Sequence, residues 1–263
     1  MKVLLLGDIV GKPGRRVVAR HLSGLRRELG VDVVIANVEN AAGGFGLTKL
    51  IYNELLDYGI DVFTSGNHIF DNKDILDDID ALERLLRPSN YPKLVPGKGL
   101  IKYSSEGNSS LYVLNLQGRV FMPSTDCPFM EFDELYEEVK GEGVPIIVDF
   151  HGEATAEKQA FSHYANGRAC AVIGTHTHVQ TSDERILSEG TAYITDVGMC
   201  GVYDSVIGMD VKRSIKHLVT QMNVRFTPAK GRAILQGVVV ECDGLKATSI
   251  ERINMFEDLY DKS

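Results

Sequence analysis

Residues 3–8 read Val-Leu-Leu-Leu-Gly-Asp, an unbroken apolar run that stops in a glycine turn carrying a carboxylate. A short apolar run without alternation predicts a strand covered on both faces, as in a parallel sheet inside a layered fold. The next segment, Arg15 to Leu29, places Val17, Val18, Leu22 and Leu25 at helical spacing and predicts a helix. Val31 to Ala36 predicts a second strand, Leu47 to Tyr58 a second helix, Val62 to Thr64 a third strand, and the stretch near Lys73 to Leu86 a third helix. Such alternation predicts parallel strands with covering helices, an α/β class.

The middle of the chain changes character. Tyr91 to Gly107 is rich in Pro, Gly and Lys and predicts a loop with at most a short strand, and Phe121 to Phe129 holds two prolines and predicts a surface loop. Strands are expected at Leu111–Leu116, Pro145–Phe150, Ala169–Ile173 and Ala192–Thr195, and helices at Asp133–Lys140, Ala154–Tyr164 and Met209–Met222. Ile234–Glu241 and Ala247–Ile253 predict an antiparallel pair around Asp243-Gly244. With no repeat and no linker, residues 1–263 are expected to form a single domain with two sheets.

Composition narrows the function. The formal net charge is −8 without a long basic run, which argues against sequence-independent binding to long nucleic acid. A small anionic substrate stays compatible, because bound metal ions reverse charge locally. Cys127, Cys170, Cys200 and Cys242 are widely spaced, so reduced thiols in a cytoplasmic protein are expected. The apolar start ends at Asp8, too early for a leader, and no stretch is long enough to span a membrane. A homo-oligomer is compatible with all of this.

The chemistry gathers just past the strands. Gly7-Asp8, Asn37-Val38-Glu39-Asn40, Ser65-Gly66-Asn67-His68, Asp149-Phe150-His151-Gly152 and Gly174-Thr175-His176-Thr177-His178 each follow an apolar run. Ligand sites in such sheets lie beyond the carboxyl ends of the strands. Asp8, Glu39, Asn40 and Asn67 offer oxygen, and His151, His176 and His178 offer imidazole nitrogen. In an extended stretch His176 and His178 would point the same way, roughly 6–7 Å apart along the chain. That separation suits two metals about 3.5–4 Å apart. Taken singly, each residue has an ordinary reading. Asp8 would cap a helix, Glu39 and Asn40 would be turn residues, Asn67 a left-handed turn residue, and His151 a satisfied histidine. Their common placement points to one metal site.

These motifs resemble the calcineurin-like metallophosphoesterases, whose pattern has an Asp after strand one, a bridging carboxylate, Gly-Asn-His, a lone His and Gly-His-x-His. Gly7-Asp8-Ile9-Val10-Gly11-Lys12-Pro13-Gly14, Asn37-Val38-Glu39-Asn40-Ala41-Ala42-Gly43-Gly44 and Asp196-Val197-Gly198-Met199 are most similar to the YmdB-like phosphodiesterase branch. Three positions depart from the wider pattern: Val10 stands where a His is usual, Glu39 stands for Asp, and Thr175 follows Gly174 where the usual last motif runs directly from Gly to His-x-His. The resemblance implies a four-layer α-β-β-α sandwich of two mixed sheets flanked by helices. It implies one metal on Asp8, Glu39, Asn40 and His178, and a second on Glu39, Asn67, His151 and His176, with Glu39 bridging. Two divalent ions are expected, Fe or Mn by the hardness of the oxygen ligands, with Zn an alternative.

The implied activity is a phosphodiesterase on small cyclic nucleotides, 2′,3′- or 3′,5′-cyclic. A metal-bound hydroxide would be the nucleophile and His68 the general acid. Two divalent ions outweigh the charges of Asp8 and Glu39, so the site stays attractive to a phosphodiester. Two rivals are a binuclear hydrolase on an amidohydrolase barrel and a catalytically weak nucleotide-binding regulator on the same fold. Lys12, Arg15, Arg16 and Arg119 read as solvated surface, Gly43 to Gly46 as a tight turn, and His21, His163 and His217 carry no assigned role.

Overall fold

A computed structural model of the chain describes residues 1–105, 107 and 109–258; residues 106, 108 and 259–263 of the expected span lie outside the described residues. The strands are β1 (Lys2–Leu6), β2 (Asp8–Ile9), β3 (Val33–Asn37), β4 (Val62–Thr64), β5 (Leu100–Ser104), β6 (Ser110–Gln117), β7 (Ile146–His151), β8 (Ala171–Thr175), β9 (Arg185–Ile186), β10 (Ala192–Ile194), β11 (Met199–Val202), β12 (Arg232–Asp243) and β13 (Lys246–Asp258). The helices are α1 (Gly11–Leu29), α2 (Lys49–Asp57), α3 (Pro128–Val139), α4 (Thr155–Tyr164) and α5 (Val211–Thr220).

Two mixed sheets result. In the first, β1, β3 and β4 run parallel, and β12 joins β1 antiparallel. β13 lies along β12, which also pairs with β11, and β11 carries the short β2. The second sheet has the order β5-β6-β7-β8-β10-β9, parallel at its centre and antiparallel at both edges.

The apolar run of β1 shows how the layers are built. Val3 and Leu5 enter the core between the sheets with Val33, Ile35, Val113, Ile147 and Ile173. Leu4 and Leu6 face the other way, into a core with Val17, Val18 and Leu22 of α1 and Leu55 of α2. On the far side Val148, Phe150 and Val172 pack against Phe132 of α3 and Phe161 of α4. Both faces of each central strand are therefore buried, which is why those strands carry no alternation. The expected four-layer α-β-β-α sandwich is formed, and two open sheets exclude the barrel alternative.

Several elements depart from expectation. The helix expected near Lys73–Leu86 is replaced by two short 3-10 turns, Lys73–Ile75 and Ile79–Ala81. Its polar side chains bind elsewhere: Asn72 accepts from the Asp74 amide, Asp78 from Lys49 at 2.7 Å, and Asp80 from the Gly97 amide at 2.7 Å. Such side-chain bonds compete with helix formation. Leu85 bridges Phe63 of β4 in parallel instead, with the Leu86 amide donating to the Phe63 carbonyl. α1 begins at Gly11 and α3 at Pro128, each earlier than expected, with Pro128 in the first turn where its missing N–H costs nothing. Among the described residues no helix is long and apolar enough to cross a membrane. All four cysteines are free thiols.

Candidate metal centre

All seven expected ligands meet beyond the ends of β1, β3, β4, β7 and β8. Asp8, Glu39 and His151 are fully buried, Asn40 and His178 nearly so, and Asn67 and His176 are half-buried, His176 at the cavity wall. The Gly-Asn-His turn needs its glycine, because a Cβ on Gly66 would lie 2.2 Å from Nε2 of His151. Gly7 is required likewise, since its Cβ would meet the Gly198 carbonyl oxygen at 2.1 Å.

The ligand atoms fall into two groups. Nε2 of His151 lies 3.1 Å from Oδ1 of Asn67, 3.1 Å from Nδ1 of His176 and 3.1 Å from Oε1 of Glu39. On the other side, Nε2 of His178 lies 3.6 Å from Oδ1 of Asp8 and 3.3 Å from the Asn40 amide. Asn40 is also 3.4 Å from Oε1 of Glu39. Glu39 thus touches both groups, and the His68 backbone amide holds its second oxygen at 2.8 Å. Exchanging the two ends of the Asn40 amide would present its oxygen to a cation.

Each histidine has one nitrogen committed outward. Nδ1 of His178 donates to the Ile207 carbonyl at 2.9 Å. Nδ1 of His151 donates to Oγ1 of Thr175 at 2.9 Å, and that hydroxyl donates to Asp149 at 2.7 Å. Nε2 of His176 pairs with Glu153 at 3.2 Å. In the neutral rings these bonds leave Nε2 of His178, Nε2 of His151 and Nδ1 of His176 as the lone-pair nitrogens facing the carboxylates, the tautomers that metal binding needs. Glu39, His151 and His176 bring their ligand atoms within 4.8 Å of one another.

One observation tests whether a cation fits. Oδ1 of Asp8 is buried and has no hydrogen-bond partner, while its other oxygen accepts from the His176 amide at 3.3 Å. An orphaned buried carboxylate oxygen among converging lone pairs is costly unless a positive charge stands between them. The donor set fits one or more divalent cations of the oxygen-and-imidazole class.

The carboxylates and imidazoles shift one another, and a cation binding here displaces the protons that Glu39 and Asp8 favour on His151 and His178. Burial works to raise the Asp8 carboxyl, but the neighbouring His178, with His151 and the His176 amide, holds it well below the usual range. Burial likewise opposes ionisation of Glu39, and His151 overrides it, so Glu39 is also held down. Burial lowers His178, yet Asp8 more than offsets this and pushes it up to about 9. His176 goes the other way, to about 3, through burial and then through His151. Burial pushes Asp149, which carries the Thr175 bond, up to about 6.

The His-x-His pair differs from the expected extended segment. β8 ends at Thr175, and His176 and His178 both have positive φ, 99° and 64°. That backbone sends them to different groups, His176 towards His151 and His178 towards Asp8. Side chains rarely adopt it, and such strain persists where the surroundings over-determine it. The surroundings here are buried Lys158, which donates to the Thr175 carbonyl at 2.7 Å and to Asp196 at 2.9 Å, and Asp196, which accepts from the Thr177 amide at 3.0 Å.

His68 stands beside the groups rather than in them. Its Nδ1 lies 2.7 Å from Oδ2 of Asp71, and its ring meets Phe45 edge-on at 5.1 Å. The ring lines a cavity of about 470 Å³ that also reaches Glu39, Asn40, His176 and His178. The opposite wall comes from the region after β11 and from α5: Ile207, Met209, His217, Leu218 and Phe226. Asp71, Glu153, Lys158 and this wall escape sequence reasoning. Asp71 had a signal, three residues after His68 in a turn; the others act only through the tertiary fold. Arg15, read as solvated, instead pairs with Glu54 and donates to the Ala41 carbonyl.

The family model for YmdB-like proteins matches residues 4–253. A protein of Bacillus subtilis (strain 168), named 2′,3′-cyclic-nucleotide 2′-phosphodiesterase, is 49% identical over 260 residues, covering 98% of each chain. The crystal structure of a hypothetical protein from Thermus thermophilus superposes with a TM-score of 0.92 at 40% identity, covering 98% of this chain and 100% of that one. The crystal structure of a novel phosphatase from Mycoplasma pneumoniae superposes with a TM-score of 0.91 at 35% identity, covering 98% of this chain and 94% of that one.

Proposed function

The chain belongs to the YmdB-like family, and from that membership we propose that it is a phosphoesterase that hydrolyses cyclic phosphodiesters of nucleotides at a binuclear metal site. The observation that carries the reading is the contact of one buried carboxylate, Glu39, with both ligand groups. The name of the Bacillus subtilis relative supports 2′,3′-cyclic nucleotides as substrates, and 3′,5′-cyclic forms belong to the same reading. Asp8, Asn40 and His178 would hold one cation, and Asn67, His151 and His176 the other, with Glu39 shared. Iron or manganese suits this set at least as well as zinc. Residues 1–263 act as one domain in a cytoplasmic protein.

When bound, the cations supply Lewis acidity, polarising phosphoryl oxygens and making water a stronger nucleophile at neutral pH. The chain supplies the rest. The outward bonds of His151, His176 and His178 keep their lone pairs aimed inward, so the site is organised before substrate arrives. Asp71 orients the His68 ring through Nδ1 and leaves Nε2 to carry the proton for the departing alkoxide. The His68 backbone amide meanwhile fixes Glu39, which couples the acid's position to that of the shared ligand.

The test is metal analysis with a hydrolysis screen. The purified chain, loaded with iron, manganese or zinc in turn, is assayed on 2′,3′- and 3′,5′-cyclic nucleotides, linear dinucleotides and phosphomonoesters. About two metals per chain and turnover of cyclic diesters are expected. Metal binding without turnover of any ester would indicate a nucleotide-binding regulator instead.

A further inference from the structure

The cavity over the ligand groups has linings of two kinds. Glu39, Asn40, His176 and His178 are polar, whereas Ile207, Met209, Leu218 and Phe226 are apolar. Four rings connect the two. His68 meets Phe45 at 5.1 Å, Phe45 meets Phe226 at 6.4 Å, and Phe226 meets His217 at 5.4 Å. Phe45 and Phe226 are steadied from behind by a buried cluster of Val10, Met199, Met209 and Ile234. On the open side Ile207 and Leu218 are 50% and 65% exposed, an apolar surface beside a charged centre.

We infer that this ring row seats the substrate's nucleobase on Phe226 and Phe45, while its cyclic phosphate reaches back to the ligand groups. The inference rests on the cyclic-nucleotide reading above. A flat aromatic ligand is what the wall fits. Every base has a π-face, and stacking on an aromatic side chain strengthens binding roughly ten- to a hundredfold. A bound base would also cover Ile207 and Leu218. The cavity, about 470 Å³, falls within the range of about 300–1,000 Å³ usual for small-molecule sites.

His217 adds a polar contact. Its Nδ1 lies 2.8 Å from the Met222 carbonyl, which can only accept, so Nδ1 donates. In the neutral ring Nε2 is then an acceptor. All four common bases carry an N–H on their pairing edge, so this acceptor holds any of them without choosing. The seat therefore recognises a base as such. kcat/KM on the four 2′,3′-cyclic nucleotides should agree within about tenfold.

Two measurements on the manganese-loaded full chain test the seat. The first compares kcat/KM on adenosine 2′,3′-cyclic phosphate with that on the base-free methyl riboside 2′,3′-cyclic phosphate. A preference of about thirtyfold for the nucleotide is expected, falling to about threefold in Phe226→Leu. The second follows the fluorescence of 2-aminopurine ribonucleoside, which stacking quenches; the wild type should quench it and Phe226→Leu much less. A wild-type preference near one, with no quenching, overturns the seat while leaving the phosphodiesterase reading intact. Turnover of neither substrate removes the phosphodiesterase reading, and quenching alone then decides the seat. If Phe226→Leu does not fold, His217→Ala on the half-exposed helix face replaces it, with about a threefold loss of preference expected. An undiminished preference in the folded variant overturns the proposal.

Discussion

Nζ of Lys158 and Oδ2 of Asp196 lie 2.9 Å apart in the interior, and both side chains are also tied to the His176–His178 turn. A buried ion pair seldom adds net stability over an apolar pair, but removing one partner leaves the other charge stranded. Here the pair also holds two histidines at positive φ. Lys158→Met should therefore cost about 3–5 kcal/mol in urea unfolding, and the metal affinity of the folded variant should drop. An unfolding free energy within about 1 kcal/mol of wild type would mean that the turn holds itself.

Asp183 provides a pH-dependent contribution away from the ligands. Burial works to raise its carboxyl, but the hydroxyls of Thr181 and Thr195 and the Thr195 amide donate to it and hold it below its ordinary value. The sign follows from linkage: a depressed carboxylate stabilises the fold above its unfolded pKa, and that stability is lost as pH falls through the folded value. Wild type should exceed Asp183→Asn in stability at pH 7, and the gap should narrow towards pH 3. A gap that stays constant in urea melts across that window would rule out the carboxylate as its source.

The parts of this site that could be read in the chain were those set by local geometry. A strand buried on both faces shows as an unbroken apolar run, and a tight strand-end turn shows as glycine beside a polar residue. Hence Gly7-Asp8 and Gly66-Asn67-His68 were visible before any fold was known. The acids after Asn72 looked helical because spacing does not reveal that Asp78 and Asp80 bind Lys49 and the Gly97 amide. His217 carried no assigned role in the sequence, because its neighbour Phe226 lies beyond the end of its helix. The positive φ of His176 and His178 could not be anticipated either, since Lys158 and Asp196 enforce it from other elements.

Metal removal should be felt by the whole fold. Without cations, Oδ1 of Asp8 is buried with no hydrogen-bond partner, 3.6 Å from Nε2 of His178, so ions that bind only the native state stabilise it by mass action. Chelation should lower the melting temperature, and manganese or iron should restore it at least as well as zinc. Asn67→Ala and Asp8→Ala should each lose about one of two metals, counted by elemental analysis. Activity supported by zinc alone, or a melting temperature indifferent to chelation, would contradict this account.

The role of His68 can be separated from metal binding by the choice of leaving group. Its Nδ1 is held by Asp71 at 2.7 Å, its backbone amide holds Glu39, and its side chain touches neither ligand group in any bond found among the described residues. His68→Ala keeps the amide, so both metals should stay bound. Turnover of an alkyl diester should fall about 10²–10⁴-fold, the usual worth of general acid catalysis. An aryl diester needs little protonation of its leaving oxygen, so its loss should be far smaller. Asp71→Asn should shift the aryl-to-alkyl ratio the same way by a smaller factor, because it disturbs only the ring's orientation. Asn67→Ala should instead slow both diesters alike, together with metal loss. The ratio is the decisive quantity: if His68→Ala leaves it at the wild-type value with both metals in place, His68 is not the acid. If His68→Ala loses a metal, the residue supports the ligands through its side chain and the acid must be sought elsewhere on the cavity wall.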